Sequence, residues 1–319
     1  MTNPGLSIHS AHMEGNHIAM SFGSRPLKSD RMILLAPRFG DWHASFDSVE
    51  VDAIHHRHLL AEAQRLRARI YLQDGAIQRG QLSPDGRFVH SHDDHSWHLL
   101  LLDAYGRVSG CARYRLHNHH VSFSELGVST SALARCLNWG ESLRHAVESK
   151  RAEARRRGYV YAELGGWALI EEMRHTREML RLPMYICGLM KTFGGALAVS
   201  TATIRNRSSS ILRKLGGHRL HCGDIEFPTY YDPQYACHME VLGFDTDFPN
   251  PKYTSWIQEC HRRLRHIAVV CGGYCEVWKA PISTRRKNHF EQQQQKPLVG
   301  DGHLHQICTP VVESDHKWN

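Results

Sequence analysis

The chain has 319 residues, 41% of them hydrophobic and 22% charged, close to the globular average, which excludes wholesale disorder, collagen-like repeats and a coiled coil. Lysine and arginine outnumber aspartate and glutamate by 39 to 32, and 25 histidines add positive charge as pH falls through about 6.5, so an acidic partner is expected. No stretch approaches the roughly 18 uninterrupted apolar residues of a membrane span, the first residues carry no signal region, and the nine cysteines form no spaced framework. The expectation is a cytoplasmic protein with reduced thiols and no transmembrane segment.

Residues 1–50 mix Gly, Pro, Ser and His without periodicity, apart from an apolar run at 32–36, and read as an irregular leader. From 51 onward Ile54, Leu59, Leu60, Ala63, Leu66 and Ile70 recur near a 3.6-residue period and predict a helix ending at Asp74-Gly75. Beyond the turn Ser83-Pro84-Asp85-Gly86, strand-like runs at 96–103 and 107–116 flank Tyr105-Gly106 and predict an antiparallel hairpin. A helix over 143–157 closes with Lys150, Arg151, Arg155, Arg156 and Arg157 before Gly158. That run suits a helix C-terminus and also reads as a solvated face.

Residues 159–169 read as a strand interrupted by Gly165-Gly166, the sign of a bulge or of a close backbone approach. A polar loop leads into a helix running to about Phe193, and 196–203 is a buried strand. A short helix opens at Asn206 and stops at Gly216-Gly217. Strands are predicted at 225–231 and 236–244 and an amphipathic helix at 256–270, and from 281 the run Glu291-Gln292-Gln293-Gln294-Gln295 marks a low-complexity, disordered tail. The expected organisation is a leader at 1–50, one folded domain at 51–280 and a tail at 281–319.

Over roughly residues 52–245 this order of elements resembles the Gcn5-related N-acetyltransferase fold, an α/β (α+β) architecture whose central mixed, twisted sheet is flanked by helices. Leu66-Arg67-Ala68-Arg69-Ile70-Tyr71, then Asp93-Asp94, a hydrophobic strand and Gly110-Cys111-Ala112-Arg113, is similar to the amino-terminal half of acyl-homoserine-lactone (autoinducer) synthases. Glu163-Leu164-Gly165-Gly166-Trp167-Ala168, with Ser200-Thr201-Ala202-Thr203 and Leu212-Arg213-Lys214-Leu215-Gly216-Gly217, resembles the long-chain N-acyl amino acid synthases more closely still. The exosortase-associated acyltransferases are similar too.

The resemblance implies an acyltransferase domain at 51–280 that moves a fatty acyl group from an acyl carrier protein (or coenzyme A) to the amine of an amino acid or similar small acceptor. It implies no permanently bound cofactor and no metal; the co-substrate is an acyl-phosphopantetheine thioester. In this fold two central parallel strands splay apart, and the backbone at Gly165, Gly166 and Trp167 is expected to grip the thioester and stabilise the developing oxyanion. An attacking amine must lose a proton. Glu163 matches the strand glutamate of the autoinducer synthases and is the expected catalytic base, the alternative being an ordinary surface carboxylate. Arg67, Tyr71, Asp94 and Arg113 match positions that shape the substrate pocket, or form surface ion pairs.

The phosphate-facing turn begins at Arg174 and has Arg177 and Met179 where pyrophosphate-cradling glycines stand in acetyltransferases. A single phosphodiester paired with Arg174, Arg177 and Arg181 is therefore expected. Arg213 occupies the place of the usual tyrosine general acid, leaving Tyr230, Tyr231 and Tyr235 as candidates. An acidic carrier protein is expected to dock on Arg151, Arg155, Arg156 and Arg157. Leu99, Leu101, Leu180, Leu182, Met184, Leu189, Met190 and Phe193 line an acyl tunnel or are plain core.

Two other classes compete. His90, His92, His95 and His98, with Asp93 and Asp94, offer enough ligands for a metal-dependent hydrolase, although no distant partner motif accompanies them. The basic balance also suits a nucleic-acid-binding protein, but no recognition motif goes with it, so no nucleic-acid partner is expected.

Overall fold

A computed structural model describes residues 31–38, 46–118, 120–174, 176 and 178–273. The chain divides into two units, Met1–Trp278 and Lys279–Asn319; every described residue belongs to the first, and the tail expected from 281 lies outside them.

The strands are β1 (Arg31–Leu35), β2 (Val49–Val51), β3 (Trp97–Leu102), β4 (Val108–His117), β5 (Val160–Leu169), β6 (Ala196–Thr203), β7 (His218–Arg219), β8 (His221–Cys222), β9 (Ile225–Glu226), β10 (Tyr230–Asp232), β11 (Cys237–Asp245) and β12 (Ala268–Cys271). The helices are α1 (Ala53–Gln73), α2 (Gly140–Arg157), α3 (Glu171–Arg174), α4 (Glu178–Thr192), α5 (Ser208–Lys214) and α6 (Thr254–Leu264). One mixed sheet runs in the order β10-β11-β6-β5-β4-β3-β1-β12-β2, with β7 added to β11. This is the mixed α/β architecture the sequence motifs imply.

Helices cover both faces of the sheet. On one face α1 lays Leu59, Ala63, Leu66 and Ile70 against Ile33, Leu35, Leu100 and Cys111, and α2 packs beside it over Tyr161, Leu197 and Val199. On the other, α4 and α6 bury Leu182, Leu189, Ile257 and Leu264 against Leu34, Leu99, Leu101 and Tyr114. All six residues of β3 are buried, as a strand covered on both faces requires. The Asp52 carboxylate caps α1 by accepting the N–H groups of Ile54 and His55 at 2.9 Å, satisfying two of the four donors a helix N-terminus leaves free.

Several expectations are corrected. The leader of loops ends in β1, whose residues 32–35 are buried between β3 and β12; a short apolar run among Gly, Pro and Ser becomes a strand only through partners distant in sequence. The helix read over 256–270 is α6 followed by β12, and the strand read over 225–231 is two, β9 and β10, parted around Pro228. Ile54, counted in the apolar period of α1, is exposed at the first turn.

Candidate active site

The site begins with a break in strand pairing. β5 and β6 run parallel and pair from Val160↔Ala196 to Glu163↔Val199, and no pair follows. On its other edge β5 stays with β4, but Cys111↔Ala168 and Arg113↔Gly165 leave one extra residue in β5. The bulge reverses the alternation of faces: Leu164 before it and Leu169 after it join the same core layer, although five positions apart.

Gly166 makes the bulge possible. Its φ is +62°, and a Cβ there meets the Cβ of Arg113 at 3.0 Å and Nη1 of Arg67 at 3.3 Å, so conformation and space both demand glycine. The bulged carbonyls are held by the protein: the Cys111 thiol donates to Gly166 at 3.4 Å and the Tyr71 hydroxyl to Trp167 at 3.3 Å.

Where β5 and β6 part lies a cavity of about 760 Å³, lined by residues 163–169 and 199–203 of the two strands. Its two sides differ in chemistry. On the α4 side the wall is Met179, Pro183, Ile186 and Cys187, one helical stripe. Pro183 has no N–H, so the Met179 carbonyl loses its usual helical donor on this wall. On the other side stand Glu163, Arg113, Arg115, Tyr71, Tyr235 and Asp232.

Glu163 is a tightly held carboxylate. His117 Nε2 lies 2.9 Å from Oε2, the Gly127 N–H donates to Oε2 and the Val128 N–H to Oε1, both at 2.9 Å, and Arg115 stands 3.8 Å away. Burial pushes its pKa up, but the hydrogen bonds and the His117 ring outweigh this and hold it at about 2. Such a carboxylate is ionised at any working pH and is a poor proton acceptor. Of roughly four lone-pair positions on a carboxylate, three are used here, leaving one on Oε1.

Beside it lies a buried ion cluster. Arg67, 2% exposed, donates to both oxygens of Asp93 at 2.9 and 2.5 Å, Arg113 reaches the same carboxylate at 3.3 Å, and Gln64 and the His90 N–H add bonds at 3.0 Å. Burial opposes the Asp93 charge, yet Arg67 overrides it and holds the carboxyl far below its ordinary range. The acid expected beside Arg67 and Arg113 was Asp94; the structure puts Asp93 there. Asp94 instead accepts the Arg38 N–H through its carbonyl and does not line the cavity. Arg67 itself is walled off under Gly166, whereas Tyr71 and Arg113 line the cavity.

The phosphate triad is not assembled as expected. Arg174 lines the cavity, and its two terminal nitrogens donate to the two oxygens of Asp74 at 2.8 and 2.9 Å. Arg181 points away, pairing with Glu178 near Tyr185 and Cys260 on the α6 side; Arg177 lies outside the described residues.

The basic run also sits elsewhere. Arg155, Arg156 and Arg157 end α2 at the start of β5, about 20 Å from Gly166 by strand rise. Arg157 is consumed by Asp245 and Asp247, and Arg151 donates to the Val121 carbonyl. These arginines do not line the cavity.

Of the tyrosines, Tyr230 and Tyr235 line the cavity, and Tyr231 points to the opposite face and solvent, as strand alternation dictates. Burial raises the pKa of Tyr230, Tyr235 and Tyr71 alike. Arg213 turns to Glu240, 3.8 Å away. The leucines and methionines read as a tunnel wall or plain core pack in the core, and the stripe of α4 that lines the cavity is the other one.

The histidine-rich stretch does not converge on a metal. His98 Nε2 meets the Asp93 carbonyl at 2.9 Å, and burial pushes His90 down to about 3 and His92 and His98 to about 4. Among the described residues the one group of three potential ligands is Glu50, Asp52 and His55, where Asp52 is already the cap of α1.

Sequence reasoning missed Arg115, Gly127, Val128, Asp232 and Asp74. Arg115 was within reach, two residues beyond Arg113 on the same face of β4. The others stand on a loop or at the end of a helix or strand, where no period marks them.

No family model and no curated protein matches the chain. Among solved structures, the CoA-dependent acyl-homoserine lactone synthase BjaI, with MTA, is 14% identical over 76% of this chain and 92% of that one, with a TM-score of 0.47. The N-acyl amino acid synthase FeeM from uncultured soil microbes is 12% identical over 61% and 88%, with a TM-score of 0.38. An agmatine N-acetyltransferase is 15% identical over 60% and 94%, with a TM-score of 0.36. The first two are of the kinds the sequence motifs resemble.

Proposed function

We propose that the protein is a cytoplasmic N-acyltransferase that moves a fatty acyl group from a phosphopantetheine thioester to the amine of an amino acid or similar small acceptor. The observation that carries this reading is the cavity between the unpaired halves of β5 and β6, apolar on one side and charged on the other. A pantetheine arm carries two amides, and unpaired strand edges offer them the backbone partners a third strand would have. The thioester then lies at the Gly166 bulge, with the acyl chain along Met179, Pro183 and Ile186 and the acceptor beside Glu163.

In this reading Glu163 anchors the acceptor rather than serving as the general base expected of it. Its open lone pair receives the ammonium, and with a pKa of about 2 it keeps no proton for itself; the amine loses its proton to solvent before attack. Tyr230 or Tyr235 protonates the departing thiolate. The donor is an acyl carrier protein or coenzyme A, and the Arg174 end of the cavity receives its phosphate.

Mass spectrometry of lipid extracts from a host expressing wild type or Glu163→Gln tests the reading. A new N-acyl product, depleted in the variant, is expected. Purified protein that transfers no acyl group from either acyl carrier protein or acyl-CoA to a mixture of amino acids and simple amines overturns it.

A further inference from the structure

Asp74 is an unexpected residue at the end of α1. A carboxylate at a helix C-terminus faces the negative end of the helix dipole, so the helix gains nothing from it. Its partners come from elsewhere in the chain. Arg174, at the end of α3, binds both its oxygens through a parallel pair of hydrogen bonds, and Asn206, on the connection after β6, donates Nδ2 to Oδ2 at 2.9 Å. All three residues line the cavity, and Arg174 and Asn206 follow the ends of β5 and β6, where the two strands are parted.

The guanidinium fork that fits a carboxylate fits a phosphate equally well, and a phosphate brings more charge. Arg174 is also held independently of Asp74, because its Nε donates to the Leu169 carbonyl at 3.3 Å. The fork therefore stays in place when Asp74 leaves. Asp74 is close enough to solvent, at 13% side-chain exposure, to rehydrate its charge when it does.

We propose that Asp74 tunes donor affinity: its carboxylate occupies the Arg174 fork and competes for it with the donor's phosphate, so that a phosphorylated pantetheine donor is held more weakly than an open fork would hold it, while a thioester lacking that group is unaffected. The proposal rests on the thioester-donor reading given above. Asp74 touches no reacting atom; it acts through Arg174.

The test is calorimetric binding of two probes, 4′-phosphopantetheine and pantetheine, to the full chain as wild type, Asp74→Asn, Arg174→Gln and the double variant. Asp74→Asn keeps the shape and removes the competing charge. It is expected to bind phosphopantetheine about tenfold more tightly than wild type and pantetheine equally well, because the competing ion pair is gone and a repulsion is relieved as well. In the Arg174→Gln background the gain disappears. A purely structural role for Asp74 moves both probes together, and that result, or a gain that persists without Arg174, overturns the proposal. Equal affinity for the two probes in every variant removes the proposal and leaves the thioester reading standing; binding of neither probe by any protein removes both.

Discussion

Glu163 and His117 meet at 2.9 Å across neighbouring strands, and the same carboxylate accepts the N–H groups of Gly127 and Val128. A loop with no periodicity is thereby tied to the centre of the sheet. The folded pKa of Glu163, about 2, lies below its ordinary 4.5, so its stabilisation is complete above about pH 4.5 and fades as pH falls toward 2. Glu163→Gln is expected to lower the unfolding free energy by about 3 kcal/mol at pH 7, with the gap from wild type closing between pH 5 and 2. Denaturant titrations at several pH values measure it; a gap that stays constant means the charge contributes nothing.

The same substitution separates anchor from base. An anchoring role predicts that Glu163→Gln raises the KM of the acceptor amine about tenfold, the cost of losing a charged hydrogen bond, with the donor KM unchanged. Steady-state kinetics with each substrate varied in turn decide this, and a fall confined to kcat returns the base role to Glu163.

At the bulge, Gly166→Ala places a Cβ 3.0 Å from that of Arg113 at a φ of +62°. The conformation alone costs about 1 kcal/mol or more, and Arg113 must shift. Thermal unfolding should drop by several degrees and transfer activity by more than the stability loss explains. Activity equal to wild type in a folded variant takes the bulge out of the chemistry.

Asp93 neutralises Arg67 beneath the cavity floor. Removing one partner leaves a buried charge alone, so Asp93→Asn is expected to cost about 3–5 kcal/mol, and replacing both Arg67 and Asp93 with apolar residues should recover much of it. Unfolding curves of the single and double variants test this; equal losses in both mean that shape, not charge, holds the site.

For the acyl wall, Met179→Trp fills the α4 side of the cavity. The preferred acyl chain should shorten, with short-chain turnover retained and long-chain kcat/KM falling at least about tenfold, since each methylene denied burial forfeits about 0.8 kcal/mol. A uniform loss over all chain lengths places the acyl group elsewhere.

The parts of this molecule legible in its sequence are those with a period or a glycine. α1 follows its apolar repeat, β6 spans the residues read for it, and Gly165-Gly166 marked the bulge. Alternation along β4 and β5 brought Arg113 and Glu163 to one face. What escaped lacks local signal. β1 and β12, short runs of five and four residues, become strands only through partners distant in sequence. Asp93 and Asp94 are adjacent in a tight turn, where nothing in the sequence says which one points inward. Asp74 and Arg174 are a hundred residues apart, and nothing near Arg157 in sequence points to its partners Asp245 and Asp247.

β12 lies between β1 and β2 and runs parallel to both, though it is synthesised more than 200 residues after them. Until Cys271 has left the ribosome, β1 has a free edge of backbone donors and acceptors flanked by apolar side chains, the kind of edge that pairs with other chains. The strands that part around the cavity, β5 and β6, and the rest of its lining as far as Phe244 all precede β12, so a newly made chain holds its cavity before its sheet is closed. A chain ending before Ala268 is expected to aggregate rather than to lose its site.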